Sequence, residues 1–210
     1  MSLTKDEYKV RLIDDKIKEY IKVFGAISIE GPKWCGKTWT GLNHANSVSY
    51  LSNKSIRDLA KADTKNIFEE KMPQLIDEWQ LVPSIWDDIR LECDMDHKKG
   101  KIILTGSTTL QKEDEDEIFH SGAGRIATIK MYPMSLYESG NSTGDVSITD
   151  MLNNKVNIKY LREINLKEIA SYIVRGGWPE NLNKEIKDKS IIPKEYLNTI
   201  LNKDITALKP

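Results

Sequence analysis

Eight consecutive residues constrain this chain more than any others: Gly31-Pro32-Lys33-Trp34-Cys35-Gly36-Lys37-Thr38, which fits the pattern G-x-x-x-x-G-K-[S/T]. At ordinary residue frequencies a chance match in a chain of this size is on the order of one in a hundred. Its surroundings narrow the reading. Ala26 to Glu30 (A-I-S-I-E) predicts a short apolar strand directly before the motif, and the stretch from Thr38 to about Asn46 predicts a helix directly after it. A strand, a glycine loop and a helix in that order form a phosphate cradle. The glycines let successive N–H groups turn toward the phosphates, and the helix adds its positive N-terminus. The positions expected to contact nucleotide are Gly31, Pro32, Lys33, Trp34, Cys35, Gly36, Lys37, Thr38 and Trp39. Lys37 supplies a point charge to the β- and γ-phosphates, and Thr38 offers a hydroxyl to Mg²⁺. The competing reading is a Gly-Lys turn without a ligand. Cys35 reads as loop filler, with a reactive thiol beside the helix terminus as the alternative.

Three further elements follow along the chain. Leu75-Ile76-Asp77-Glu78 is a short strand ending in two carboxylates. Downstream of a phosphate loop this is a Walker B pattern: Asp77 holds Mg²⁺ through water, and Glu78 orients the attacking water. Pro73 and Gln74 stand where more aliphatic residues are usual. The strand Lys101 to Thr105 runs into Gly106-Ser107-Thr108-Thr109, where a polar side chain can meet the γ-phosphate or the water. Ser107 is the first choice for that contact and Thr105 the second; an ordinary strand-ending turn is the other reading. Gly122-Ala123-Gly124-Arg125 precedes a fifth strand, Ile126 to Met131. Arg125 there either neutralises transition-state charge or forms a surface salt bridge.

The remaining pattern sets the architecture. Lys5 to Phe24 carries apolar residues at three- and four-residue intervals and predicts an amphipathic helix. Ser47 to Leu51 predicts a strand, Ile56 to Lys71 a helix and Ser84 to Cys93 another. Strands alternating with helices imply a parallel sheet covered on both faces. Ser139 to Asp145 reads as a linker, and Ile148 to Pro210 as helical with a break at Gly176-Gly177-Trp178-Pro179. We therefore expect a core over 1–140 and a helical subdomain over 141–210, in a chain cut before a further part.

Composition excludes several classes. Lys and Arg number 31 against 32 Asp and Glu, so no basic field advertises DNA or an anionic membrane. No apolar run is long enough to span a bilayer, and the charged N-terminus lacks a signal-peptide core. Cys35 and Cys93 are too few and too distant for a disulfide framework or zinc site, which suits a reduced, cytoplasmic protein. His44, His97 and His120 show no ligand spacing and are expected at the surface. The run Glu113 to Glu117 is expected to be a solvated loop.

Taken together, G-P-K-W-C-G-K-T (31–38), L-I-D-E-W-Q (75–80), L-T-G-S (104–107), G-R (124–125), Y-P-M-S-L-Y-E (132–138) and G-G-W-P-E (176–180) resemble the AAA-type P-loop ATPases of bacteria and archaea. The resemblance implies an α/β P-loop NTPase core with sheet order 5-1-4-3-2 and a C-terminal helical lid. It implies Glu78 as catalytic glutamate, Ser107 as first sensor and Arg125 as an arginine finger acting in a neighbouring subunit of a homo-oligomer. It also implies a further C-terminal, often nuclease-like, domain that this chain stops before. Trp34 and Cys35 depart from the usual loop residues, and the match loosens after Gly140, leaving Arg175 as a weak candidate for the second sensor.

The expectation is thus a Mg²⁺-dependent ATPase using ATP and ADP as ligands. The first rival is a nucleotide-gated switch with negligible turnover. The second is a P-loop kinase, which the scarcity of arginines after Gly140 (Arg162 and Arg175) opposes. No N-K-x-D guanine motif occurs. The protein client, and any use of DNA, are not indicated by these residues.

Overall fold

The computed structural model describes residues 8–68, 71–106, 118, 120–155, 163–184 and 188–204. The chain forms two compact units, Met1–Tyr132 and Pro133–Pro210.

The first unit is built on five parallel strands. They are β1 (Ala26–Glu30), β2 (Ser47–Tyr50), β3 (Gln74–Asp77), β4 (Ile102–Gly106) and β5 (Ile126–Lys130), in spatial order β2-β3-β4-β1-β5. Read from the other edge this is 5-1-4-3-2, the order the family resemblance implies. The three central strands, β3, β4 and β1, are short and buried on both faces, as helix-covered parallel sheets require, while the edge strands β2 and β5 are only partly buried. Alternation divides their side chains. Ala26, Ile76, Ile102, Leu104 and Ile126 join one core cluster. Ile27, Ile29, Leu75, Ile103, Ala127 and Ile129 join the other.

Helices cover both clusters. Helix α1 (Asp14–Val23) places Ile17, Tyr20 and Ile21 on the second cluster, joined by Leu42 of α2 (Lys37–His44). Ala60 of α3 (Lys54–Ala62), with Ile85, Trp86, Ile89 and Cys93 of α4 (Ile85–Asp96), packs on the first. The ring of Trp86 lies 4.9 Å from that of Trp79 at the heart of this layer.

Two helices differ from the periodic pattern. Helix α1 begins at Asp14, so residues 8–13 are not helical; the Tyr8 and Arg11 side chains among them make tertiary hydrogen bonds described below. Helix α3 ends at Ala62, because the Asp63 side chain accepts the Lys65 N–H and starts a separate 3-10 turn over Thr64–Ile67. His44 is not a surface residue; its ring is 8% exposed and bonded to Asp14, while His97 and His120 are exposed.

The second unit is helical, with helices over Ile148–Leu152, Leu166–Arg175 and Ile191–Thr199. Asn165 and Glu168 form a capping box that starts the second of these. Gly176, at φ 65°, stops it.

Candidate nucleotide-binding site

The phosphate-binding motif leaves the C-terminal end of β1 and enters α2, as a strand–loop–helix cradle must. Two glycines are required by its shape. A Cβ on Gly31 would lie 2.2 Å from the Met131 carbonyl oxygen, so any side chain would push the loop off the exit of β5. Gly36, at φ 102°, turns the chain into the helix through a conformation that side chains disfavour. Trp34 also adopts a left-handed φ of 66°, yet its indole is exposed.

Lys37 is buried at the start of α2, and its ammonium donates to the carbonyls of Gly31 and Pro32 at 2.9 Å each. Lys33 is exposed at the loop's rim, and Trp39 is half-buried one turn into the helix. Cys35 is fully buried, and burial pushes its thiol up, which favours filler over a reactive group.

Strand β3 delivers the second element. The Thr38 hydroxyl donates to Asp77 Oδ1 at 2.8 Å, joining the loop to the strand. The Thr105 hydroxyl, in register on β4, donates to the same oxygen at 2.5 Å. Burial raises the Asp77 pKa; the bonds from Thr105 and Thr38 pull it back, while the neighbouring Glu78 raises it. A buried carboxylate held this way suits a hard cation. Among the described residues no group of three or more His, Cys, Asp or Glu could cage a metal. Thr38 and Asp77 are oxygen donors that could serve a hard cation taking its other ligands from phosphate and water.

Glu78 follows at a left-handed φ of 59°, an uncommon conformation for a residue with a side chain. The Gln80 side-chain amide donates to its carboxylate. Gln80 stands in the L-I-D-E-W-Q segment, but local sequence gives no sign that it reaches back to Glu78.

The other predicted residues lie apart or outside. Ser107 and Glu113 to Glu117 fall outside the described residues. Arg125 precedes β5, whose Ile126 is in register with Ala26, so it sits at the opposite ends of the strands from the loop. Five strand residues separate the two ends by about 16 Å. Its guanidinium is half-exposed and donates to Asp94 at 2.6 Å and to the Ala123 carbonyl. Arg175 is buried in the second unit, where it donates to Asn141, Ser139 and the Gly176 carbonyl.

Sequence reasoning passed over Arg11. It is 6% exposed and donates to the Cys35 carbonyl within the loop at 2.7 Å. A lone arginine in an amphipathic pattern is ordinarily a solvated residue, so no local signal marks it.

A family model described as an AAA domain matches residues 24–140. No curated protein matches the sequence. Among solved structures, AMPPCP-bound DnaA from Aquifex aeolicus is similar at 16% identity and a TM-score of 0.49, over 96% of this chain and 68% of that one. No described helix is long and apolar enough to cross a membrane.

Proposed function

This chain belongs to the AAA domain family of P-loop ATPases, and on that premise we propose that it binds ATP with Mg²⁺ and hydrolyses it. The observation that carries this reading is the convergence of Thr38 and Thr105 on one oxygen of Asp77 beside a loop whose lysine is buried. On binding, Lys37 exchanges the Gly31 and Pro32 carbonyls for phosphate oxygens, and the loop N–H groups take the remaining charge. Thr38 and, through water, Asp77 would hold Mg²⁺, which would supply charge neutralisation at the phosphates. Glu78 orients the attacking water once its carboxylate leaves Gln80.

Arg125 serves the γ-phosphate of a neighbouring copy, because its own loop lies at the far ends of the strands. That use requires breaking its bond to Asp94 and predicts slow turnover by the isolated chain, since an arginine finger contributes about 10³–10⁵ in rate.

The test is calorimetric titration with ATP, ADP and GTP, with and without Mg²⁺, followed by single-turnover hydrolysis. Adenine nucleotides bind the wild type, and Lys37→Ala abolishes binding. A flat trace for the folded wild type at millimolar ATP overturns the proposal. One observation favours a second reading, a nucleotide-gated switch: the hydrogen bond from Gln80 withdraws Glu78 from water. Tight ATP binding without any single-turnover product would select the switch.

A further inference from the structure

We propose that Arg11 is a positioning residue that holds the phosphate-binding loop in its working shape. It lies upstream of residues 24–140, the span of the family match. Its buried guanidinium makes two charge-assisted bonds to main-chain carbonyls: Cys35 in the loop at 2.7 Å, and Tyr132 at the exit of β5 at 2.8 Å. That exit is the surface on which Gly31 rests, through Met131. Arg11 therefore stitches the middle of the loop to the platform under its first residue.

The consequence follows from peptide geometry. The Cys35 carbonyl and the Gly36 N–H belong to one planar trans unit and point in opposite directions. Fixing the carbonyl on Arg11 aims the N–H at the other side of the loop, where phosphate oxygens bind. A loop without this anchor has to fix that peptide at the moment of binding, which weakens affinity.

Arg11 is itself held. Asp14 Oδ2 accepts the Arg11 N–H at 2.7 Å, and the Asp14 N–H donates to the Arg11 carbonyl at 3.0 Å. Asp14 Oδ1 accepts from the Tyr8 hydroxyl at 2.8 Å and lies 2.9 Å from His44 Nε2. The Tyr8 hydroxyl also lies 3.2 Å from the Thr40 hydroxyl. One carboxylate thus fixes the turn that aims Arg11 and, through Thr40 and His44, the helix that leaves the loop. The segment Tyr8 to Asp14 thus holds the middle of the loop and the helix that follows it.

The effect on nucleotide affinity rests on the proposed function; the hold on the loop does not, and Cys35 reports it directly. The experiment measures iodoacetamide labelling of Cys35 and Cys93 in the full chain without nucleotide, resolved by peptide mass spectrometry, together with KM and kcat for MgATP. Arg11→Gln is expected to speed Cys35 labelling about tenfold, the loss of one charge-assisted bond, while Cys93 labels as before. It raises KM more than it lowers kcat, and Arg11→Lys falls between the two. Unchanged Cys35 labelling overturns the proposal, as does equal acceleration of both cysteines, which would mark a general support of the fold. If Arg11→Gln does not melt cooperatively, Arg11→Lys decides on the same readouts. A wild type that binds no MgATP removes the nucleotide reading, and Cys35 labelling still decides the hold on the loop.

Discussion

The Thr105 hydroxyl and Asp77 Oδ1 sit 2.5 Å apart across adjacent strands, in register, and the Thr38 hydroxyl meets the same oxygen from the loop. Thr105 therefore faces the carboxylate that ends β3. Replacing it with valine keeps the shape and removes the donor, leaving a buried acceptor short of a partner. We expect Thr105→Val to weaken the Mg²⁺ dependence of ATP binding about tenfold, with a stability loss of about 1 kcal/mol. Titration of Mg²⁺ at fixed ATP checks this; an unaltered midpoint would remove Thr105 from the site.

Asp77 carries a linked prediction for stability. Burial raises its folded pKa above the unfolded value, so the ionised form opposes folding. Its favourable contribution exists only below the usual carboxylate range and is lost as pH rises through the raised value. Asp77→Asn should therefore melt higher than wild type at neutral pH, by about 2–4 °C for roughly 1 kcal/mol in a chain of this size. The difference should vanish in acid, where both side chains are neutral. The same variant should lose Mg²⁺-dependent binding. A neutral-pH melting point below wild type would show that the charge stabilises the fold.

Glu78 and Gln80 separate chemistry from restraint. Glu78→Gln should bind ATP as wild type does and lose about 10²–10⁴ in single-turnover rate, the usual contribution of a general base. Gln80→Ala removes the amide that occupies the carboxylate and should speed the same reaction. If Glu78→Gln loses binding as completely as Lys37→Ala, its role is structural.

Arg125 gives a complementation test. Arg125→Ala and Glu78→Gln, each inactive alone, should recover part of the activity when mixed, because one copy would supply the arginine and the other the glutamate. No recovery at any ratio would confine Arg125 to its bond with Asp94.

A fifth expectation concerns acid. Burial pushes Asp14 up, but bonds from His44, the Arg11 N–H and Tyr8 outweigh it and hold the pKa below the ordinary value. The stability from this carboxylate is present above the ordinary carboxylate pKa and is lost as pH falls through the lowered one. Asp14→Asn, which breaks a buried network, should cost about 2–4 kcal/mol near neutrality in a denaturant titration. A difference below about 0.5 kcal/mol would show that the network adds nothing beyond surface noise.

Much of the site was legible because its residues act through local spacing. The loop Gly31 to Thr38 works by backbone curl between a strand and a helix, and both are written in neighbouring residues. Asp77 and Glu78 end a strand, which alternation and a short aliphatic run reveal. Thr105 was legible as a polar strand end, but its partner was not, because strand order alone brings β4 against β3. His44 reads as a surface residue, and no local signal marks Arg11 or Asp14. Their burial comes from α1 lying against α2, a contact with no local signature.

Sequence alone determined the parallel α/β core, the position of the phosphate loop and the identity of its lysine and carboxylates, because each follows from periodicity or from short-range stereochemistry. Only the tertiary structure decided which carbonyls Arg11 grips, which oxygen Thr105 and Thr38 share, and that Arg125 stands at the far ends of the strands. Those facts depend on strand register and helix packing, where residues distant along the chain meet and burial converts ordinary polar side chains into obligatory partners.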